Sequence, residues 1–212
     1  MHDRTVNGEP LVLGNAGGLY KNAMTWWDHK TFSIWSQPVG QALAGPLKGT
    51  SLRPLPFQLT TWENWREAHP ETLVMTNSAT RMGRFKQRFS EDFLIGVTVA
   101  GSAKAYPYPL AANQTLIQDR LAGIPILVWA SDQDYRVFAR RLDDQVLDFS
   151  WQDGSLVDQR TGSRWDPQLG VAREGAFAGQ ALQQIPSFSI FASSWDDFYP
   201  EGEIYHLEDP LP

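Results

Sequence analysis

Asp28-His29-Lys30-Thr31-Phe32-Ser33-Ile34-Trp35 is answered, 130 residues further along the chain, by Asp158-Gln159-Arg160-Thr161-Gly162-Ser163-Arg164-Trp165. Asp, Thr, Ser and Trp recur in place, four of eight positions. The same register carries on without a gap through Gly40/Gly170, Ala42/Ala172, Gly45/Gly175, Gly49/Gly179, Leu52/Leu182, Pro56/Pro186, Trp65/Trp195, Pro70/Pro200 and Glu71/Glu201. Glycine, proline and tryptophan are the residues least freely exchanged, so their joint retention marks a duplicated unit. Each copy is a supersecondary unit expected to bury its apolar face against the other. In each, the repeated Asp is expected to accept backbone amides in an Asx-type turn, ahead of a strand whose Trp packs inward.

Working outward, the chain reads as mainly β. The expected fold is two diverged repeats of antiparallel strands, packed as a pseudo-twofold sandwich or barrel-like unit, each repeat ending in a short helix. Ile95 to Tyr106 alternates on both sides of Ala100-Gly101 and predicts a tight hairpin. Gly123 to Trp129, Tyr135 to Arg140 and Gln145 to Trp151 are β-branched or aromatic runs bounded by Asp, Gly or Asn and predict further strands. Thr60-Thr61-Trp62-Glu63 is a helix start, and the helix stops before Pro70. Its counterpart runs from a Ser193 cap to Tyr199 and stops at Pro200. A final strand is expected after each helix, at Leu73 to Met75 and at Glu203 to Tyr205. Trp65 and Trp195 are expected to be equivalently buried. Asn77 to Ser90, with Arg81, Arg84, Lys86 and Arg88, reads as a protease-accessible connecting loop. The modules are thus 1–78 and 79–212, in one compact unit. The stretch from Phe89 to about Ala139 has no counterpart in the first module, which is expected to lack its leading half.

The totals exclude several classes of function. With 42% hydrophobic, 12% aromatic and 20% charged residues, the chain has the material for a core. A net charge of −6, with both signs spread along the chain, gives no reason to expect nucleic-acid binding. No cysteine is present, which removes disulfides, thiolate ligands and a Cys nucleophile. The longest apolar runs, such as Ile124 to Ala130, fall far short of the ~20 residues of a membrane helix, and the N-terminus lacks a secretory pattern. His2, His29, His69 and His206 are scattered, so no metal site and no cofactor are expected. Gly14-Asn15-Ala16-Gly17-Gly18 lacks the Lys and Ser/Thr of a phosphate loop and reads as a turn. No Gly-x-Ser-x-Gly occurs, and Asp143-Asp144 and Asp196-Asp197 read as solvated or dipole-facing acids.

Features that both copies share serve the fold they share, so function is sought where the copies differ. Opposite Asp166-Pro167 the first module has Ser36-Gln37, and its stretch Tyr20 to Trp27 is longer and richer in polar and aromatic groups. Tyr20, Asn22, Trp26, His29 and Gln37 are therefore the candidate lining of a pocket for a small-molecule ligand. Trp35/Trp165 and Trp65/Trp195 recur and read as core, which leaves Trp26, Trp27, Trp62, Trp129 and Trp151 uncommitted.

Leu19-Tyr20-Lys21-Asn22, Trp35-Ser36-Gln37, Gly45-Pro46-Leu47-Lys48-Gly49-Thr50 and Trp62-Glu63-Asn64-Trp65-Arg66-Glu67-Ala68-His69-Pro70 resemble the family of unknown function DUF3179. The resemblance runs from Asp3-Arg4-Thr5-Val6-Asn7-Gly8 through the first module. It resumes at Gly96-Val97 and Ala105-Tyr106-Pro107 and continues to about Tyr205. It implies the duplicated fold. It also implies, upstream of the segment like Asp3 to Gly8, a Trp-His-Glu stretch and a Cys-Pro-Leu-Cys-Gly motif similar to a metal or redox site. This sequence begins after both. The comparable stretches of its second module, Asn113 to Asp119 and Trp129 to Gln133, hold neither His nor Cys, so that site is expected to be missing or disabled. The resulting expectation is a non-catalytic binding or scaffold module. The alternative is an enzyme, metal-assisted or redox, completed by an upstream segment or a partner.

Overall fold

The computed structural model describes residues 1–57, 59–74, 92–132 and 134–207. A two-residue ladder, β1 (Thr5–Val6) on β2 (Glu9–Pro10), leads into an antiparallel sheet of β3 (Leu13–Tyr20), β4 (Ala23–Asp28), β5 (Ile34–Ser36) and β6 (Ala42–Ala44), paired in that order. Helix α1 (Trp62–Ala68) ends the first copy. The second half opens with β7 (Phe93–Val99) and β8 (Ser102–Pro107), helix α2 (Tyr108–Gln114), and then β9 (Leu116–Leu121), β10 (Ile124–Ser131) and β11 (Asp134–Ala139). A second ladder of β12 (Arg141–Leu142) on β13 (Gln145–Val146) precedes a second four-stranded sheet, β14 (Phe149–Gln152), β15 (Ser155–Asp158), β16 (Arg164–Asp166) and β17 (Val171–Glu174), again paired in order. β18 (Ser187–Phe191), α3 (Ala192–Phe198) and β19 (Glu203–Ile204) complete the chain.

The mainly β, duplicated architecture expected from the sequence is present, and its sheets are stacked, with no closed barrel among the described residues. The order β18-β7-β8-β19 faces the β11-β10-β9 sheet across a core that includes Ile95, Val97, Tyr106, Ile126, Val128 and Val137. The other face of β10 and β11, carrying Leu127, Trp129 and Phe138, packs on Phe149, Leu156 and Trp165 of the second four-stranded sheet. β10 is thus covered on both faces, which is why Ile124 to Ala130 is an unbroken apolar run and not an alternating one. Helix α2 lies in the polar-looking stretch Tyr108 to Gln114, where Pro109 sits in its first turn and Tyr108 and Ala111 are buried.

Identical turns build the two four-stranded sheets. The Asp28 carboxylate accepts the Lys30 and Thr31 amides, the Thr31 hydroxyl at 2.7 Å, the Ser33 amide at 3.1 Å and the Trp35 indole at 3.0 Å. Asp158 accepts the Arg160, Thr161 and Ser163 amides and the Thr161 hydroxyl at 2.6 Å. Ser33 and Ser163 accept the amides of Leu47 and Phe177, both at 3.1 Å. Gly45 and Gly175, at φ 92° and 90°, lie so close to those serines that a Cβ would sit 2.7 and 2.6 Å from the nearest serine atom. Glycine alone suits both the conformation and the approach.

Burial by itself raises the Asp28 and Asp158 pKa, but these hydrogen bonds outweigh it and hold both carboxyls below the ordinary value. A depressed folded pKa gives stability that is full above the unfolded pKa and is lost as pH falls through the folded one. Urea midpoints should therefore fall as pH drops below ~4, and Asp28→Asn and Asp158→Asn should each flatten that acid limb. An acid limb identical to that of the unmodified protein would show that the two turns do not carry it.

The copies differ where the sequence suggests. Arg4 and Arg140 donate alike to the Leu11 and Leu147 carbonyls, 136 residues apart, whereas the Asp turns are 130 apart. The first copy therefore holds six extra residues between these points, in β3. There Gly14 to Gly18, expected as a turn, is a bulged part of the strand: Asn15 pairs with Trp26 and Leu19 with Met24, with the irregularity between them. The Gly17 amide donates to the Asn15 side chain at 2.8 Å, and the Thr25 hydroxyl to the Gly18 carbonyl at 2.8 Å.

Four helix-end expectations are corrected. Thr61 caps α1, its hydroxyl accepting the Asn64 amide at 3.1 Å, while Thr60 instead bonds Asp134. α3 begins at Ala192 with no side-chain cap, because β18 feeds straight into it. Leu73 and Val74 form no strand, and Leu73 is exposed, whereas Glu203–Ile204 pairs parallel to β8. Trp195 is fully buried among Leu94, Ala105 and Ile190, but Trp65 is only half-buried, its indole donating to Thr72 at 2.9 Å. α3 closes on the β7–β8 sheet, and among the described residues no such sheet lies beneath α1. Met75 and the connector Asn77 to Ser90 lie outside the described residues.

The equivalent helices cross over. Phe198 of α3 meets Tyr20 of the first copy edge-on at 6.1 Å, and the Lys21 ammonium donates to the Asp197 carbonyl. Reciprocally, α1 lies against the second copy's sheet, with Asn64, Glu67 and Ala68 facing Arg164 and Arg173 across a cleft.

Candidate functional site

That cleft, of about 530 Å³, is built by alternation along two short strands. Trp165 and Ala172 point into the core, so their neighbours Arg164, Asp166 and Arg173 point outward. One Asp166 oxygen accepts the Gln168 and Leu169 amides at 2.9 and 3.0 Å, and the other pairs with Arg173 at 2.9 Å. Arg164 donates to the Gln152 carbonyl at 3.2 Å. α1 supplies the opposite wall, with Asn64 and Glu67, and Glu174 adds a further carboxylate. The Arg and acid groups alternate in sign across an open, half-solvated surface.

The floor is held by a buried ion pair. Arg136, 1% exposed, pairs with Asp134, donates to the Gln168 carbonyl at 3.0 Å and reaches the Leu59 carbonyl at 3.5 Å. Asp134 also accepts the Thr60 hydroxyl at 2.9 Å. Burial pushes the Asp134 carboxyl up and the Arg136 guanidinium down, each opposed by the partner's charge. One ion pair thereby fixes both the segment leading to α1 and the turn beneath Asp166.

The same positions of the first copy carry Ile34 for Arg164, Ser36 for Asp166, Leu43 for Arg173 and Ala44 for Glu174. Its outer face is therefore apolar where the second copy's is charged, on the same backbone.

The five residues singled out in the sequence are dispersed. Tyr20 ends β3 against Phe198, and Asn22 stands in the adjoining exposed turn, where Lys21 and Asn22 have φ 50° and 59°. Trp26 points into the core beside Trp35, edge-on to His2 at 6.1 Å. His29 is exposed at the far end of β4, about 20 Å from that turn, stacked on Trp27 at 4.2 Å. Gln37 is half-buried, its amide donating to the Met24 carbonyl at 3.2 Å. A smaller cleft of about 250 Å³ includes Tyr20 but not the other four. Asp166 stood out in the sequence as a point of divergence; Arg164, Arg173, Asn64 and Glu67 did not. Comparing the copies residue by residue under the 130-residue register would have found the two arginines. Among the described residues, no cluster of three or more His, Asp or Glu has the arrangement of a metal site.

Fold and cleft together define a duplicated β protein with one charged face and one apolar face on equivalent sheets. Residues 1–93 and 86–202 match the family model described as a protein of unknown function (DUF3179), and the chain belongs to that family. No curated protein and no solved structure matches the chain.

Proposed function

We propose that the protein is a non-catalytic binding module whose ligand is a small zwitterionic molecule held in the cleft between α1 and the second copy's sheet. One observation carries this reading: charge of both signs at Arg164, Asp166, Arg173 and Glu174 where the duplicate has Ile34, Ser36, Leu43 and Ala44. The fold does not need the charges, since the duplicate forms the same sheet without them. Arginine offers a planar fork to a carboxylate, and Asp166, Glu174 and Glu67 face an ammonium or amide.

A thermal-shift screen with free amino acids and dipeptides tests the reading, because a ligand bound only to the folded state raises the midpoint in proportion to its affinity. A zwitterionic ligand should raise the midpoint in low salt and less so in high salt. The shift should disappear in Arg173→Ala and Asp166→Ala and persist in Ser36→Ala. A shift that survives both cleft variants would sink the assignment, as would substrate turnover abolished by either one.

A further inference from the structure

We propose that the ring stack of Trp27, His29 and Phe32 in the first copy is a second binding site, for a neutral ring sugar. Trp27 is the centre of the stack. His29 lies parallel to it at 4.2 Å and 16°, and Phe32 at 5.6 Å and 13°. The rings rest on the backbone of β3, where a Cβ at Gly14 would lie 2.7 Å from the Trp27 indole nitrogen and 3.2 Å from His29 Nε2. Gly14 pairs with Trp27 as Ser150 pairs with Val157 in the other copy, so the duplicate has neither the tryptophan nor the glycine beneath it.

Phe32 is the anomaly that points to use. It has φ 58°, a left-handed conformation that suits glycine and strains a bulky residue, and its counterpart Gly162 has φ 73°. The first copy thus places a phenylalanine where the shared turn favours glycine. It gains little burial for the strain, since Phe32 remains 69% exposed. Strain of this kind persists where it serves a site. Lys30 and Thr31, next to Phe32, line a cleft of about 200 Å³ with Asn7 and Glu9, and the Lys30 ammonium pairs with Glu9.

The ligand class follows from that pairing of surfaces. A pyranose presents an apolar C–H face, which stacks on an aromatic ring, and a rim of hydroxyls that each donate and accept. Asn7, Glu9 and Lys30 offer donors and acceptors side by side, with no excess of either sign to select an ion. The overall charge of −6 disfavours a polyanion.

NMR titration of the full chain with cellobiose, maltotriose and N,N′-diacetylchitobiose tests the proposal. At least one saccharide should move the Trp27 indole and His29 imidazole signals saturably. Phe32→Gly should weaken that binding by about tenfold or more while leaving the thermal midpoint unchanged or raised, because glycine suits the turn. Trp27→Ala should abolish it, and Arg173→Ala should leave it intact, which separates this site from the charged cleft. Signals that no saccharide moves would overturn the proposal, as would full affinity in Phe32→Gly. Signals that shift with protein concentration alone would overturn it in favour of a second copy of the chain.

Discussion

Trp195→Ala is expected to lower the unfolding free energy by about 3–5 kcal/mol, the usual cost of deleting a buried aromatic, whereas Trp65→Ala should cost less than about 2 kcal/mol. The two residues hold equivalent helix positions, but Trp195 is 0% exposed and packs between Leu94, Ala105 and Ile190, while Trp65 has no buried neighbour on its own helix. Phe188 and Tyr199 stack against the Trp195 ring, so its removal leaves a cavity with aromatic walls that cannot collapse onto it. Urea denaturation of both variants checks the asymmetry. Equal losses would mean that α1 is seated as firmly as α3.

Arg136→Ala is expected to cost about 3–5 kcal/mol as well, since it strands the Asp134 carboxylate in a site from which water is excluded. Asp134→Ala should cost a similar amount for the opposite reason. The double variant Asp134→Leu/Arg136→Met should be more stable than either single change, because an apolar pair leaves no uncompensated charge. The cleft should respond differently from the stability. Arg136 also holds the Gln168 carbonyl and reaches the Leu59 carbonyl, so the double variant should refold yet lose the thermal shift with a zwitterionic ligand. Chemical denaturation combined with the ligand screen distinguishes the two effects.

The duplication, the turns at Asp28 and Asp158, the Ala100-Gly101 hairpin and the inward Trp35 and Trp165 could all be read from residue identity alone. Each depends on local rules: a carboxylate two or three residues ahead of free amides, or a glycine where φ must be positive. Helix α2 was hidden because Tyr108-Pro109-Leu110-Ala111 resembles a strand end followed by a break, and only its packing on β10 makes it helical. The unequal burial of Trp65 and Trp195 was hidden because the surface that covers a helix comes from elsewhere in the chain. The site was legible only in part for the same reason. Asp166 showed as a difference between copies, but its opposite wall is α1, about a hundred residues earlier in the sequence. The residues grouped as a pocket in the first copy were neighbours in sequence, and the alternation of β4 sends Trp26 and Trp27 to opposite faces.

The exchange of helices between the copies has a consequence for how the protein is made. Phe198 must meet Tyr20, so the first sheet waits for a helix encoded near the end of the message. At about 5–20 residues per second, the ribosome needs roughly 10–35 s to supply the intervening chain. Through that interval Leu43, Met24 and Tyr20 stand open to solvent on a half-finished sheet. A ribosome stalled in the last tenth of the coding sequence would release a chain with nearly every strand and no closure. Such a nascent chain should depend on chaperones far more than the finished protein does.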